Sequence, residues 1–458
     1  MKRTAYCASL AVSTSLALLA CAGDPDVVGT AEAVRGGGGK ADGTEIPADW
    51  NRLIAHTRLE IDFGAMAGLA TVVFEPSDSG LASFEAGGLE VLEVYSDVGA
   101  LPFERREGNL HVETGPSDAP IHIRYRFEVQ TSSTGLGPAG STVIWPTYCG
   151  NLFPCHSDPA DGLTFELAVT GLPEDAVALY PEAITTTTPA YTLAFAIGEY
   201  TCQVLGTTTA ATEVSVCWLP RGKTRALTGT KHLTPVFDWF ETHLGPYAFG
   251  DRVASVAADW GDAAAGGMEH HPYWHVATSE MDLPITHAHE AAHGWFGAGV
   301  RIGCWEDLVL SEGTVSYLAA RALGAVKGPD VEAAQWEEYA EELRVALEDT
   351  DDIVWPDSCG EVDLLEDGLW SNVLYMKGAF FYRDVAAAIG ADVLDTVFAS
   401  FYLQYVGEAA RMQDMLDHIA SETGFDPTEL ATRWLRSTGN PLDVPTDPSA
   451  EPQSDEPR

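Results

Sequence analysis

Lysine and arginine are scarce. The 458-residue chain carries 25 of them against 68 aspartates and glutamates, a formal charge of −43. A chain this acidic has no basic face to offer a phosphate backbone, which excludes nucleic acid as a partner, and its surface reads as acidic and well solvated. Long apolar runs are also missing: after the opening residues, no uncharged stretch approaches the length of a membrane-spanning helix. No Cys-x-x-Cys pair occurs, which argues against a cysteine-based metal site, and no internal repeat is visible. What remains is globular material. Hydrophobic residues make up 46% and aromatics 10%, enough for a core in a chain of about two to four domains.

The opening residues are of a different kind. Met1-Lys2-Arg3, an apolar stretch through Leu10 to Leu19 and a small residue, Ala20, have the order of a secretory signal. Leu18-Leu19-Ala20-Cys21 resembles a bacterial lipobox, which implies residues 1–20 as a lipoprotein signal peptide and Cys21 as the lipidated first residue of an exported protein. The chain would then be held to the cell envelope, on the periplasmic or cell-surface side, through that lipid; a plain secretory signal is the alternative. Residues 21–46, with Arg35-Gly36-Gly37-Gly38-Gly39-Lys40, read as a flexible tether, and 443–458, rich in Pro, Asp, Glu and Ser, as an unstructured tail.

Six cysteines follow: Cys149, Cys155, Cys202, Cys217, Cys304 and Cys359. An even number in an exported chain points to disulfides, and pairing of neighbours in order is favoured among the many connectivities. From Arg58 to Trp218 short alternating runs such as Ile121 to Glu128 predict strands. Beyond Thr230 the spacing lengthens to a helical one, as in Val315, Leu318, Ala319, Ala322 and Leu323, with Gly324 expected as the stop.

The chemistry concentrates at His289-Glu290-Ala291-Ala292-His293. Alanine favours a helix, and residues four apart share a helix face, so both imidazoles can aim at one zinc ion with Glu290 beside it. Zinc suits imidazole and carboxylate and leaves a position open for water in a catalytic site. The third ligand expected is Glu312, 18 residues after His293, on a second helical pattern beginning at Trp305. Glu306 is the rival carboxylate, read as a solvated charge. His287, His270, His271 and His275 are read as supporting or surface residues, because a fourth protein ligand would close the site to water.

This set, with Glu312-Gly313, resembles the gluzincin zinc metallopeptidases of the aminopeptidase N and leukotriene hydrolase family. Gly266-Gly267-Met268-Glu269 resembles the family's exopeptidase motif, and Tyr375-Met376-Lys377-Gly378 the segment bearing its catalytic tyrosine. Phe153 to Pro159 resembles a motif of its N-terminal β-domain; Gly245-Pro246-Tyr247 and Trp434 to Pro441 also fit, in the right order, over roughly residues 50 to 442. The resemblance implies an α+β multidomain fold: an N-terminal β-sandwich-like domain at 47–225, then a mainly helical, thermolysin-like zinc catalytic domain at 226–442, in a short form without the family's helical C-terminal domain.

The resemblance further implies one zinc ion on His289, His293 and Glu312, Glu290 as general base, Tyr375 as a donor to the developing oxyanion, and peptides as substrates. Glu269 would anchor a free amino terminus, with Gly266, Gly267 and Met268 lining the substrate path. Two departures stand out. His270 and His271 follow Glu269 where the family commonly has asparagine, and Trp145-Pro146-Thr147-Tyr148 occupies the region of a second amine anchor. An endopeptidase or another zinc hydrolase, and a peptide-binding surface lipoprotein without turnover, are the alternatives.

Overall fold

The computed structural model describes residues 45–443, apart from 117, 131–133, 138–141, 144–147, 262–263, 351–352 and 361–370. The signal, Cys21, most of the tether, the tail beyond Asp443 and Trp145 to Thr147 lie outside the described residues. Ile46, assigned above to the tether, is instead buried, its N–H donating to Glu104 at 2.9 Å.

The N-terminal half is built of sheets. Alternation does the work locally: Leu163–Thr170 turns every second residue inward, as the two-residue period of a strand requires. Seven strands pair in the order Ala183–Thr188, Leu163–Thr170, Ile54–Asp62, Ala67–Phe74, Ile121–Arg126, Glu90–Ser96 and Gly99–Ala100. A three-stranded sheet of Leu81–Glu85, Asn109–Glu113 and Phe103–Arg106 accompanies it. Phe84, Phe153 and Phe165 lie in their shared core.

A second sheet runs in the order Thr201–Thr207, Glu213–Trp218, Arg252–Ala258, Tyr273–Ala277 and Gly267–Met268. Two corrections follow. Strands continue well past Thr230, and the division expected at residue 225 falls inside this sheet, whose parallel pairing joins Glu213–Trp218 to Arg252–Ala258.

Nine α-helices occur among the described residues: α1 Lys223–Gly229, α2 Leu233–Leu244, α3 Pro284–Ala292, α4 Leu308–Lys327, α5 Pro329–Ala346, α6 Asn372–Ile389, α7 Ala391–Tyr405, α8 Met412–Thr423 and α9 Thr428–Leu435. None of the described helices is by itself long and apolar enough to cross a membrane. Helix α4 is buried from Leu308 to Leu323 apart from Arg321, which marks it as the central helix of the half. It does not stop at Gly324. That glycine is buried against Glu332 of α5, and the helix ends at Gly328, whose φ of +106° suits a residue without a side chain.

Helices α4 and α6 cross at Gly313 and Gly378. A methyl on Gly313 would stand 2.7 Å from the Cα of Gly378, and one on Gly378 2.5 Å from the Cα of Gly313. Only two glycines allow this approach, and it brings the residues beside them, Glu312 and Tyr375, to one place. The start of α4 is tied down by buried Asp307, which pairs with Arg411 and accepts from Trp355 Nε1 (3.1 Å) and the N–H of Met412 (3.0 Å). The two halves are joined through Arg301, whose guanidinium donates to the carbonyls of Ala160 (3.1 Å) and Gly407 (2.6 Å) and to Thr187 Oγ1 (3.2 Å). Cystines link Cys149 to Cys155, Cys202 to Cys217 and Cys304 to Cys359, the order expected.

Candidate active site

Helix α3 presents His289 and Glu290 and ends at His293, while α4 supplies Glu312. His289 Nε2 and Glu312 Oε2 are 3.2 Å apart, the two Nε2 atoms 3.3 Å, and His293 Nε2 and Glu312 Oε2 3.5 Å. A tetrahedral zinc with bonds of about 2.0–2.1 Å has edges of about 3.3 Å, so this triangle fits one face of its coordination shell. The ring of His293 is set by its Nδ1–H, which donates to the carbonyl of Phe296 at 3.0 Å and turns Nε2 toward His289 and Glu312. Gly297 makes room for that ring: a methyl there would meet His293 Nδ1 at 2.7 Å. Ser316 Oγ lies 3.4 Å from Nδ1 of His289.

The electrostatics agree with the geometry. Burial pushes Glu312 up, but His293 and His289 outweigh it and bring the carboxyl down to about 2. Burial pulls His293 down, and Glu312, Glu269 and Glu290 reverse this and lift it to about 10. His289 is lowered, chiefly by burial. The buried carboxylates thus hold a proton on His293 in a place that suits a dication equally well. Glu306 is not part of this group. It is buried rather than solvated, and the ligand atoms near it belong to Cys304 and Cys359.

Glu290 and Glu269 face the same point from the other side, each with a carboxylate oxygen within 4.8 Å of the other's and of His293. Glu269 ends the edge strand Gly267–Met268, and Gly267 is obligatory there: a methyl would collide with the Glu290 carboxyl at 2.5 Å. Burial raises Glu290 well above the usual carboxylate range, opposed by His293 and reinforced by Glu269 and Glu312. Its Oε2 has no partner among the described residues. Tyr375 stacks on His289 with ring centroids 5.9 Å apart, and burial followed by the nearby carboxylates raises its phenol well above 10, so it stays protonated and able to donate. These residues line one cavity.

The remaining histidines lie inside rather than at the surface. His271 Nε2–H donates to the Glu290 carbonyl (2.8 Å), so its Nδ1 accepts from the Tyr247 hydroxyl (2.8 Å), which gives Gly245-Pro246-Tyr247 a supporting role. His287 lies between Ser255 Oγ (2.8 Å) and the Met281 carbonyl (3.0 Å). Burial lowers His271 to about 3 and His287 to about 4, which keeps both neutral. His270 packs against His275, centroids 4.7 Å apart, away from the cavity lining. Lys377, in the tyrosine segment, is fully buried and donates to the Ser437 carbonyl at 2.8 Å, tying α6 to the end of α9. Tyr148, in the region of the second anchor, accepts from the Gly87 N–H at 2.7 Å.

Sequence reasoning missed Tyr191. It is buried in the N-terminal half, and its hydroxyl donates to the Glu269 carboxylate across the junction of the halves. Nothing in Ala190-Tyr191-Thr192 signals this, because the contact exists only once the halves meet.

Two histidines and a glutamate converge from two helices, with a buried carboxylate and a phenol beside them, a donor set that fits one zinc ion. The peptidase family M1 domain profile matches residues 272–434, and the chain is similar to that family over this span. Aminopeptidase M1-B of Oryza sativa subsp. japonica is 28% identical over 337 residues, which cover 63% of this chain and 36% of that protein. Probable aminopeptidase 1 of Sulfurisphaera tokodaii is 22% identical, covering 80% and 50%. The chain therefore spans half or less of these curated relatives. In fold it is similar to an M1 zinc metallopeptidase mutant of Deinococcus radiodurans, with a TM-score of 0.70 at 16% identity over 86% of this chain and 96% of that one. Yeast LTA4 hydrolase in complex with bestatin gives 0.68 at 18%, over 86% and 69%.

Proposed function

We propose that this chain is a zinc aminopeptidase that removes single residues from the amino terminus of peptides. The observation that carries this reading is Glu269, a buried carboxylate beside the candidate base and ligands, hydrogen-bonded by Tyr191. A free ammonium is the group such a carboxylate recognises best, through charge-assisted hydrogen bonds, and an anchor this close to Glu290 sets the cut one residue in. The helical half serves as a thermolysin-like catalytic domain.

His289, His293 and Glu312 would hold the ion, which when bound lowers the pKa of a coordinated water to about 7 and polarises the scissile carbonyl. Glu290 takes the proton of the attacking water and returns it to the departing nitrogen; its buried position raises its proton affinity for both tasks. The Tyr375 hydroxyl donates to the oxygen that gains charge. Gly266 and Gly267 let the substrate backbone pass close to the edge strand.

Aminoacyl substrates with free and with acetylated amino groups test the reading. The free amine should be cleaved about a hundred-fold faster, and Glu269→Gln should raise KM for it and erase most of that difference. Equal cleavage of both forms by the parent protein would sink the anchoring role. We also propose export and a lipid anchor on Cys21, supported by the opening residues alone; the expressed chain should partition into detergent, and Cys21→Ser should abolish that.

A further inference from the structure

The cavity does not end at the candidate centre. Beyond it the wall is made by Ile285 and Thr286 of α3, Tyr339 and Glu342 of α5, and Asn372 and Met376 of α6. Glu342 stands out. It is 7% exposed, and its Oε1 has no hydrogen-bond partner among the described residues. The cation nearest in its helix, Arg344, is engaged elsewhere, with Glu341 at 2.6 Å and Glu348 at 2.7 Å. Exposed Glu338, one turn earlier, adds negative charge rather than removing it. Among the described residues, the cavity lining holds four glutamates and neither lysine nor arginine.

A buried carboxyl without a partner costs stability, and such groups persist where a ligand completes them. We propose that Glu342 makes this end of the cavity a subsite for a cationic side chain, lysine or arginine, on the residue that follows the scissile bond. The proposal rests on the aminopeptidase reading above, which fixes the direction of the peptide. Glu269 takes the amino group, and the charges acting most on it are His293 and Glu312. Helix α5 adjoins the centre on the His289 side: the Tyr339 hydroxyl donates to the Ser316 carbonyl (3.2 Å), and the Ser316 hydroxyl lies 3.4 Å from His289 Nδ1. A peptide anchored at Glu269 and crossing the centre therefore presents its second side chain to Glu342. With no cation beside it, burial followed by Glu338 raises Glu342 to about 8, and an arriving ammonium supplies the missing partner.

The full-length zinc protein would be given Ala-Lys-Ala, Ala-norleucine-Ala and Lys-Ala-Ala. The lysine at the second position should raise kcat/KM about 10- to 100-fold over norleucine. Glu342→Gln should erase that ratio. Calorimetric binding of the same peptides to Glu290→Gln protein should show the same ratio in Kd, independently of turnover. If Glu342→Gln does not fold, Glu342→Asp should lower the ratio several-fold. A ratio near one in the parent protein, or one unchanged by these variants, overturns the subsite, as does a lysine preference confined to the first position. Failure to cleave any of the peptides, with the binding ratio intact, overturns the aminopeptidase reading and not the subsite.

Discussion

Glu290→Gln should lose activity about a hundred- to ten-thousand-fold in kcat while keeping its zinc. Glutamine is the same size and reaches the same point, but it cannot accept the water proton. Glu290 is not placed as one of the three ligands, so metal content measured by mass spectrometry should stay at one ion per chain. Stability should not fall. The Glu290 carboxyl is buried with an unpartnered oxygen, and burial is the main cause of its raised pKa, so a neutral amide removes a charge that the fold carries at a cost. Melting at an equal or higher temperature, together with the loss of turnover, separates a missing base from a damaged fold. Activity within tenfold of the parent would refute the assignment.

Zinc affinity should rise steeply with pH. In the metal-free site His293 holds its proton up to about 10, while Glu312 is ionised above about 2 and burial lowers His289. Binding needs a neutral His293, so below about pH 10 each ion displaces that proton, and the affinity gains about tenfold for each pH unit. Between pH 6 and 8 the gain is about a hundred-fold, measurable by competition with a coloured chelator. An affinity flat across that range would show that no proton is displaced. Glu312→Ala should bind zinc far more weakly and with a shallower pH slope, because it removes both a ligand and the charge that most raises His293. Chelation of the parent protein should abolish turnover.

These expectations rest on parts of the molecule that are unequally legible in the sequence. The ligand pair is local: His289 and His293 are four residues apart on a helix, so helix geometry alone puts them on one face. Glu312 needed only a returning helix, and its separation of 18 residues from His293 left room for one. The cystines pair near neighbours in the order expected. A lone carboxylate before a helix is usually solvated, whereas the fold buries Glu306 beside the Cys304–Cys359 bridge. Gly324 looked like a helix stop, but close packing of α5 made a glycine useful in mid-helix.

The sequence by itself determined the candidate ligand set, the carboxylate proposed as base and the composition of the two halves, because each follows from short-range periodicity or from residue chemistry at fixed spacing. Only the tertiary structure decided which side chains complete the site. Tyr191 reaches Glu269 from the other half, Tyr375 arrives through the Gly313–Gly378 crossing, and Glu342 is left unpartnered because α5 turns it inward while Arg344 faces out. These relations join positions far apart in the chain through packing at van der Waals distance, and no local pattern encodes a contact whose two surfaces are brought together only by folding.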